Sequence, residues 1–217
     1  MKRLSIALLA VVAIGVSASQ VHAQRGGGMG MMGGSAAVLG NPDVHKELKL
    51  TDEQISKAQA IVEQMREGMR ERFQSLQGLS PEEMREAGQK MMKEINDELH
   101  GKVKEFFQPE QLARFEQLEI QAQGFQAFVS EKVVKALKIT EEQKAKFQGI
   151  IDDVQSEMRS AFQDAAGDRE AMMAKMTEIR KSAMDKAKAL LSEEQVKAWG
   201  ELIGKPFEFR MQRRRDA

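Results

Sequence analysis

The 217-residue sequence has no cysteine, no tyrosine, a single tryptophan and only four prolines. Without cysteine there is no disulfide, no thiolate metal site and no thiol nucleophile, so packing and hydrogen bonds alone must hold the core. The absence of tyrosine and an aromatic content of 5% argue against an all-β domain, whose strands draw on such residues. An excess of one charge is missing too: 33 Lys and Arg balance 33 Asp and Glu. That neutrality removes the basic surplus by which proteins bind nucleic acid. The catalytic signatures GxSxG, HExxH and GK[ST] are all absent, and nothing marks a pair of carboxylates for acid/base work. Neither a catalytic residue nor a cofactor is expected.

What is present begins with Lys2 and Arg3, followed by an apolar stretch from Leu4 to Val16 and the segment Val21-His22-Ala23. This has the layout of a secretory signal peptide, too short for the roughly 20 apolar residues of a membrane span. Cleavage is expected before Gln24 and the bacterial periplasm is the expected destination. No later run is apolar enough to be a transmembrane helix. The expected plan is a signal peptide over residues 1–23 and a flexible Gly- and Met-rich leader over 24–40. A first helical repeat over 41–123, a second over 124–209 and a basic tail over 210–217 follow.

From Asn41 onward apolar residues recur at helical spacing. Ile55, Ala58, Val62, Met65, Met69, Phe73 and Leu76 share one face of a helix expected from Asp52 to Gln77. A second helix is expected from Pro81 to Phe106, and a third from Pro109 with a break at Gly124. The plan then returns. Setting Val44–Gln54 beside Val133–Gln143 matches Val44, Lys46, Leu48, Lys49, Thr51, Glu53 and Gln54 to identical residues. Met69-Arg70 falls on Met158-Arg159; after a deletion, Glu94-Ile95 falls on Glu178-Ile179 and Gln111 on Gln195. The fold class that follows is all-α, two tandem helical-hairpin units with pseudo-two-fold symmetry.

Each long helix is preceded by a recognisable start. Leu50-Thr51-Asp52-Glu53-Gln54 is a capping box, in which the Thr51 hydroxyl accepts from a first-turn N–H and Gln54 accepts from the N–H of Thr51. Leu50 and Ile55 stand where a hydrophobic staple places them. Thr140 with Gln143, Ser80 with Glu83 and Ser192 with Gln195 repeat the box; Lys144 occupies the staple position after Ile139. Gln108 takes the cap position before Pro109, which predicts a weaker start there. These residues are read as structural caps, each contributing about 1 kcal/mol.

Two boxes of the form LTxxQ separated by a long helical hairpin, with the stretch His45–Met69 (HKELKLTDEQISKAQAIVEQMREGM) and its counterpart Leu191–Leu202 (LSEEQVKAWGEL), resemble the family of the periplasmic chaperone Spy and the stress regulator CpxP. The resemblance implies a four-helix unit that pairs as a thin, curved antiparallel dimer and shields unfolded clients on its concave face without ATP. Two copies in one chain imply an internal version of that pairing, with a homodimer still open. The partners so implied are unfolded or regulatory proteins.

Thioether-rich apolar faces edged by arginine suit such adaptable binding. The candidate client surface is Met65, Met69, Phe73, Met91, Met92, Met158, Phe162, Met173 and Met176, with Arg66, Arg70 and Arg159 as its rim; an ordinary packed core is the competing reading of the same stripe. A copper- or zinc-stress protein is a rival function, because Met29, Met31 and Met32 carry thioethers suited to Cu(I). Its other ligands would be sparse: beyond the leader only His45 and His100 are histidines, with Asp97 near the latter. A purely structural envelope protein is the third reading. The tail arginines Arg210, Arg213, Arg214 and Arg215 read as a solvated end.

Overall fold

In the computed structural model, residues 34–74, 76, 78–164 and 168–209 are described. Among them the chain is all-helical, without a strand. The first half runs α1 (Ser35–Leu39), α2 (Pro42–Glu47), α3 (Asp52–Gln74), α4 (Pro81–Lys104) and α5 (Pro109–Gln123). The second runs through a 3-10 helix η1 (Gly124–Val129), α6 (Glu131–Leu137), α7 (Glu141–Asp164), α8 (Arg169–Lys188) and α9 (Glu193–Ile203).

The helices start where local chemistry satisfies their free amides. Asn41 Oδ1 accepts from the Asp43 N–H at 2.8 Å, and Pro42 supplies the preset first dihedral of α2. Ser80 and Ser192 form complete boxes at α4 and α9, and Asp168 accepts from Glu170 and Ala171 at α8. The short helices α2 and α6 stop alike: Lys49 and Lys138 turn left-handed at φ 51° and 52°, and the Leu50 and Ile139 amides donate back to His45 and Val134 at 3.0 Å each. Gly124 and Gly204 end α5 and α9 with φ 59° and 62°, at ψ values only glycine adopts easily.

Burial follows two clusters. One draws on Ala36 to Leu118, with Phe115, Leu99 and Val103 fully enclosed; the other on Ile120 to Trp199, around the stacked rings of Phe128 and Phe147. Each fully buried ring contributes about 1.5–3 kcal/mol relative to exposure. Helix α5 belongs to both, since Leu118 lies in the first and Ile120 in the second. On the outside, Glu53–Lys57 and Glu142–Lys146 form matched pairs at 2.7 Å, and hydrogen bonding to the lysine holds each carboxyl below its usual range.

Several expectations are corrected here. The last part of the stretch read as a flexible leader is helix α1, because Ala36, Val38 and Leu39 close the top of the first cluster against α3, α4 and α5. Helix α3 ends at Gln74, short of Gln77, which lies outside the described residues. Ile139 is buried although Lys144 denies it a staple partner; Lys144 lies 3.8 Å from Glu141 instead.

Candidate functional site

Two features carry chemistry beyond packing: the end of each hairpin, where two glutamine boxes meet, and the far part of the second hairpin.

At the first end, the Gln54 amide from the start of α3 meets the Gln111 amide from the start of α5. Gln54 Nε2 donates to Gln111 Oε1 at 2.8 Å and to the Phe106 carbonyl at 2.8 Å. In return Gln111 Nε2 donates to Gln54 Oε1 at 3.2 Å and to the Leu48 carbonyl at 3.1 Å. The two Oε1 atoms also accept from the Thr51 and Gln108 amides, at 3.0 and 2.9 Å. Every donor and acceptor of both amides is therefore engaged.

This clasp joins four helix ends. Leu48 and Phe106 sit just past the ends of α2 and α4, where carbonyls have lost their helical partners, while Gln54 and Gln111 lie in the opening turns of α3 and α5.

The second half repeats the arrangement. Gln143 Nε2 donates to Gln195 Oε1 and to the Leu190 carbonyl, each at 2.8 Å; Gln195 Nε2 donates to Gln143 Oε1 at 3.0 Å and to the Leu137 carbonyl at 3.1 Å. The Thr140 and Ser192 amides complete it. Sequence reasoning saw the local box and missed the long-range bond. A signal was present: the four boxes that meet in pairs carry glutamine at the third helical position, whereas Ser80, at the other end of the first hairpin, is boxed by Glu83. Unlike a carboxylate, an amide both donates and accepts, and a paired box needs both. Glu83 itself is held below the usual carboxylate range by its bonds from Ser80. At α5 the Gln108 N–H donates to Gln111 Oε1 at 2.9 Å, so a clasp residue also closes that helix start.

The candidate client residues divide. Met65, Met69 and Met91 are buried in the first cluster, so they belong to its core and are corrected as surface; helical spacing alone placed them on the inward stripe. Met92 packs beside them, and Met158 packs against the second cluster, each half-buried. The Phe73 side chain lies outside the described residues, as do Met29, Met31 and Met32. Arg66, Arg70 and Arg159 are exposed, with Arg66 bonded to Glu63 at 2.9 Å.

Phe162 is 56% exposed, more than Met84 or Val196. It lies in α7 beside Ala161, which lines an open groove of about 580 Å³ between α7 and α8 together with Ser160, Ala171, Met172 and Lys175. Met173 and Met176 on α8 are half-buried. Met172 was missed in the sequence, since its neighbour Met173 fits the apolar period equally well.

The two described histidines have partners. His45 Nε2 lies 2.6 Å from the Leu39 carbonyl and ties α2 to α1. His100 on α4 faces Glu119 on α5; hydrogen bonding to that carboxylate raises the imidazole above its ordinary value of 6.5, against the pull of burial. Asp97 pairs with Lys93 at 2.8 Å. Among the described residues no group of three or more His, Asp or Glu is placed to hold a metal, and no helix is long and apolar enough to cross a membrane.

Comparison with known proteins finds no matching family model, no matching curated protein and no matching solved structure.

Proposed function

We propose that this chain is a binding protein of the Spy/CpxP kind, an ATP-independent periplasmic chaperone or stress adaptor made of two tandem hairpin units. The supporting observation is a contrast within the second hairpin: an amide clasp ties one end, while an exposed Phe162 and an open groove edged by Met172 lie toward the other. An unbranched thioether adapts to many apolar side chains, so such a surface suits loose, reversible capture of exposed segments. Binding is the whole mechanism, and no bond is made or broken.

The test is aggregation of a reduced or heated client followed by light scattering, with the purified protein at stoichiometric ratio and without nucleotide. Suppression is expected, and Phe162→Ser combined with Met172→Ser weakens it without lowering the helical content. Unchanged aggregation at several-fold excess of the protein removes the proposal.

A further inference from the structure

Glu119 is a carboxylate almost shut off from water, 6% exposed, on the helix that joins the two clusters. His100 Nε2 lies 3.1 Å from its Oε1 and 3.0 Å from its Oε2, and the imidazole leans on Phe115 with ring centroids 6.0 Å apart. A protonated imidazole neutralises that buried charge and donates to it. A neutral ring leaves the carboxylate with one neutral hydrogen bond at most, in surroundings where an uncompensated charge is costly.

The second half of the chain carries apolar residues at the positions that match this ion pair. The register that sets Ile95 on Ile179 and Gln111 on Gln195 sets Met184 against His100 and Ile203 against Glu119. Burial follows this register at Leu99 with Ala183, Val103 with Ala187 and Phe115 with Trp199. Met184 and Ile203 both pack on the second cluster. Apolar groups commonly replace a buried ion pair with no loss of stability. What the ion pair adds is therefore dependence on protonation.

We propose that His100 and Glu119 form a pH-sensitive latch, which holds α4 against α5 while the imidazole carries its proton and slackens that joint, in the first half alone, as pH rises. The other charges around it are Glu116 on α5 and Lys132 on α6, paired at 2.6 Å, with the exposed Glu131 beside them. On α4 they are Lys93 with Asp97, and Glu98, which binds Lys102 and the α3 residue Arg72. The charged groups of α9, Glu193, Glu194, Lys197 and Glu201, are exposed, and α1 and η1 carry no titratable side chain. Because the folded state favours the protonated ring, the latch contributes in full below the ordinary histidine value and fades as pH climbs through the higher folded one. This holds whatever the protein binds.

The experiment is hydrogen exchange of α4 and α8 between about pH 6 and about pH 9, corrected for intrinsic rates, in the wild type and in the double variant His100→Met/Glu119→Ile. Protection of α4 relative to α8 is expected to fall with rising pH in the wild type and to stay level in the double variant. The His100 ring, followed by NMR, is expected to titrate above 6.5, and Glu119→Gln to lower its midpoint. A level α4-to-α8 ratio in the wild type overturns the latch, and so does the same fall in the double variant. Should that variant not fold, a His100 midpoint unmoved by Glu119→Gln overturns it equally.

Discussion

Gln54 holds two roles that substitution can separate. Its Oε1 closes the local box with the Thr51 amide, and its Nε2 reaches Phe106 and Gln111 across the hairpin. Thr51→Ala removes only a cap hydroxyl, 3.3 Å from the Gln54 amide, and is expected to cost about 1 kcal/mol in urea unfolding. Gln54→Glu keeps the box acceptor but turns a donor toward two oxygens into a third oxygen. It is expected to cost more than Thr51→Ala, about 1–3 kcal/mol for the acceptors left unmet. Glu83→Gln, at a box with no facing glutamine among the described residues, should change stability less than Gln54→Glu does; equal costs for Gln54→Glu and Glu83→Gln contradict the clasp. Trp199 is a different case: it is 5% exposed, and its Nε1 has no partner among the described residues. Phe115 fills the matching position in the first half without a polar atom. Trp199→Phe is therefore expected to be close to neutral in thermal unfolding, because loss of apolar area is offset by removal of an unmet donor.

At the scale of elements, the helix starts could be read from the chain because their causes are local. Capping residues, a proline at the first helical position and a period of 3.6 act over a few residues, and each lies in the sequence as a pattern. The clasp could not be read in the same way, since Gln54 and Gln111 are brought together only when the ends of α2 and α4 meet the starts of α3 and α5. Met65 and Phe162 show the same limit: both occupy apolar positions, yet one is enclosed and the other exposed. Helix α1 was obscured by the glycines around it, although its own residues Ser35-Ala36-Ala37-Val38-Leu39 contain none. Gly124 shows where an element boundary is itself a requirement. Its φ of 59° with ψ −135° turns the chain from α5 into η1, and nothing lies within 4 Å of where a Cβ would stand. The penalty of Gly124→Ala is thus conformational alone, about 1–3 kcal/mol by equilibrium unfolding. A neutral result would mean the turn relaxes into another geometry.

For the whole molecule, the question is whether the two clusters unfold together. Past Gly204 the chain returns to the first half: Phe207 and Phe209 pack edge to face on each other, with ring centroids 4.9 Å apart, and both pack against its cluster. Gln121 on α5 fixes that return. Its Nε2 donates to the Ile203 and Lys205 carbonyls at 2.7 and 2.9 Å, and its Oε1 accepts from the Phe207 amide at 2.8 Å, while Arg114 donates to Lys205 at 2.8 Å. Gln121→Ala breaks three of these four bonds and is expected to cost about 1–3 kcal/mol. The single tryptophan makes the coupling measurable, because Trp199 lies in the second cluster while the released aromatics lie on the first. With α5 shared and the returning segment stitched to it, fluorescence and far-ultraviolet circular dichroism should give one urea midpoint, displaced equally by Gln121→Ala. If the tryptophan transition stays in place while the ellipticity splits into two steps, the halves are separate folding units and the stitch is local to the first.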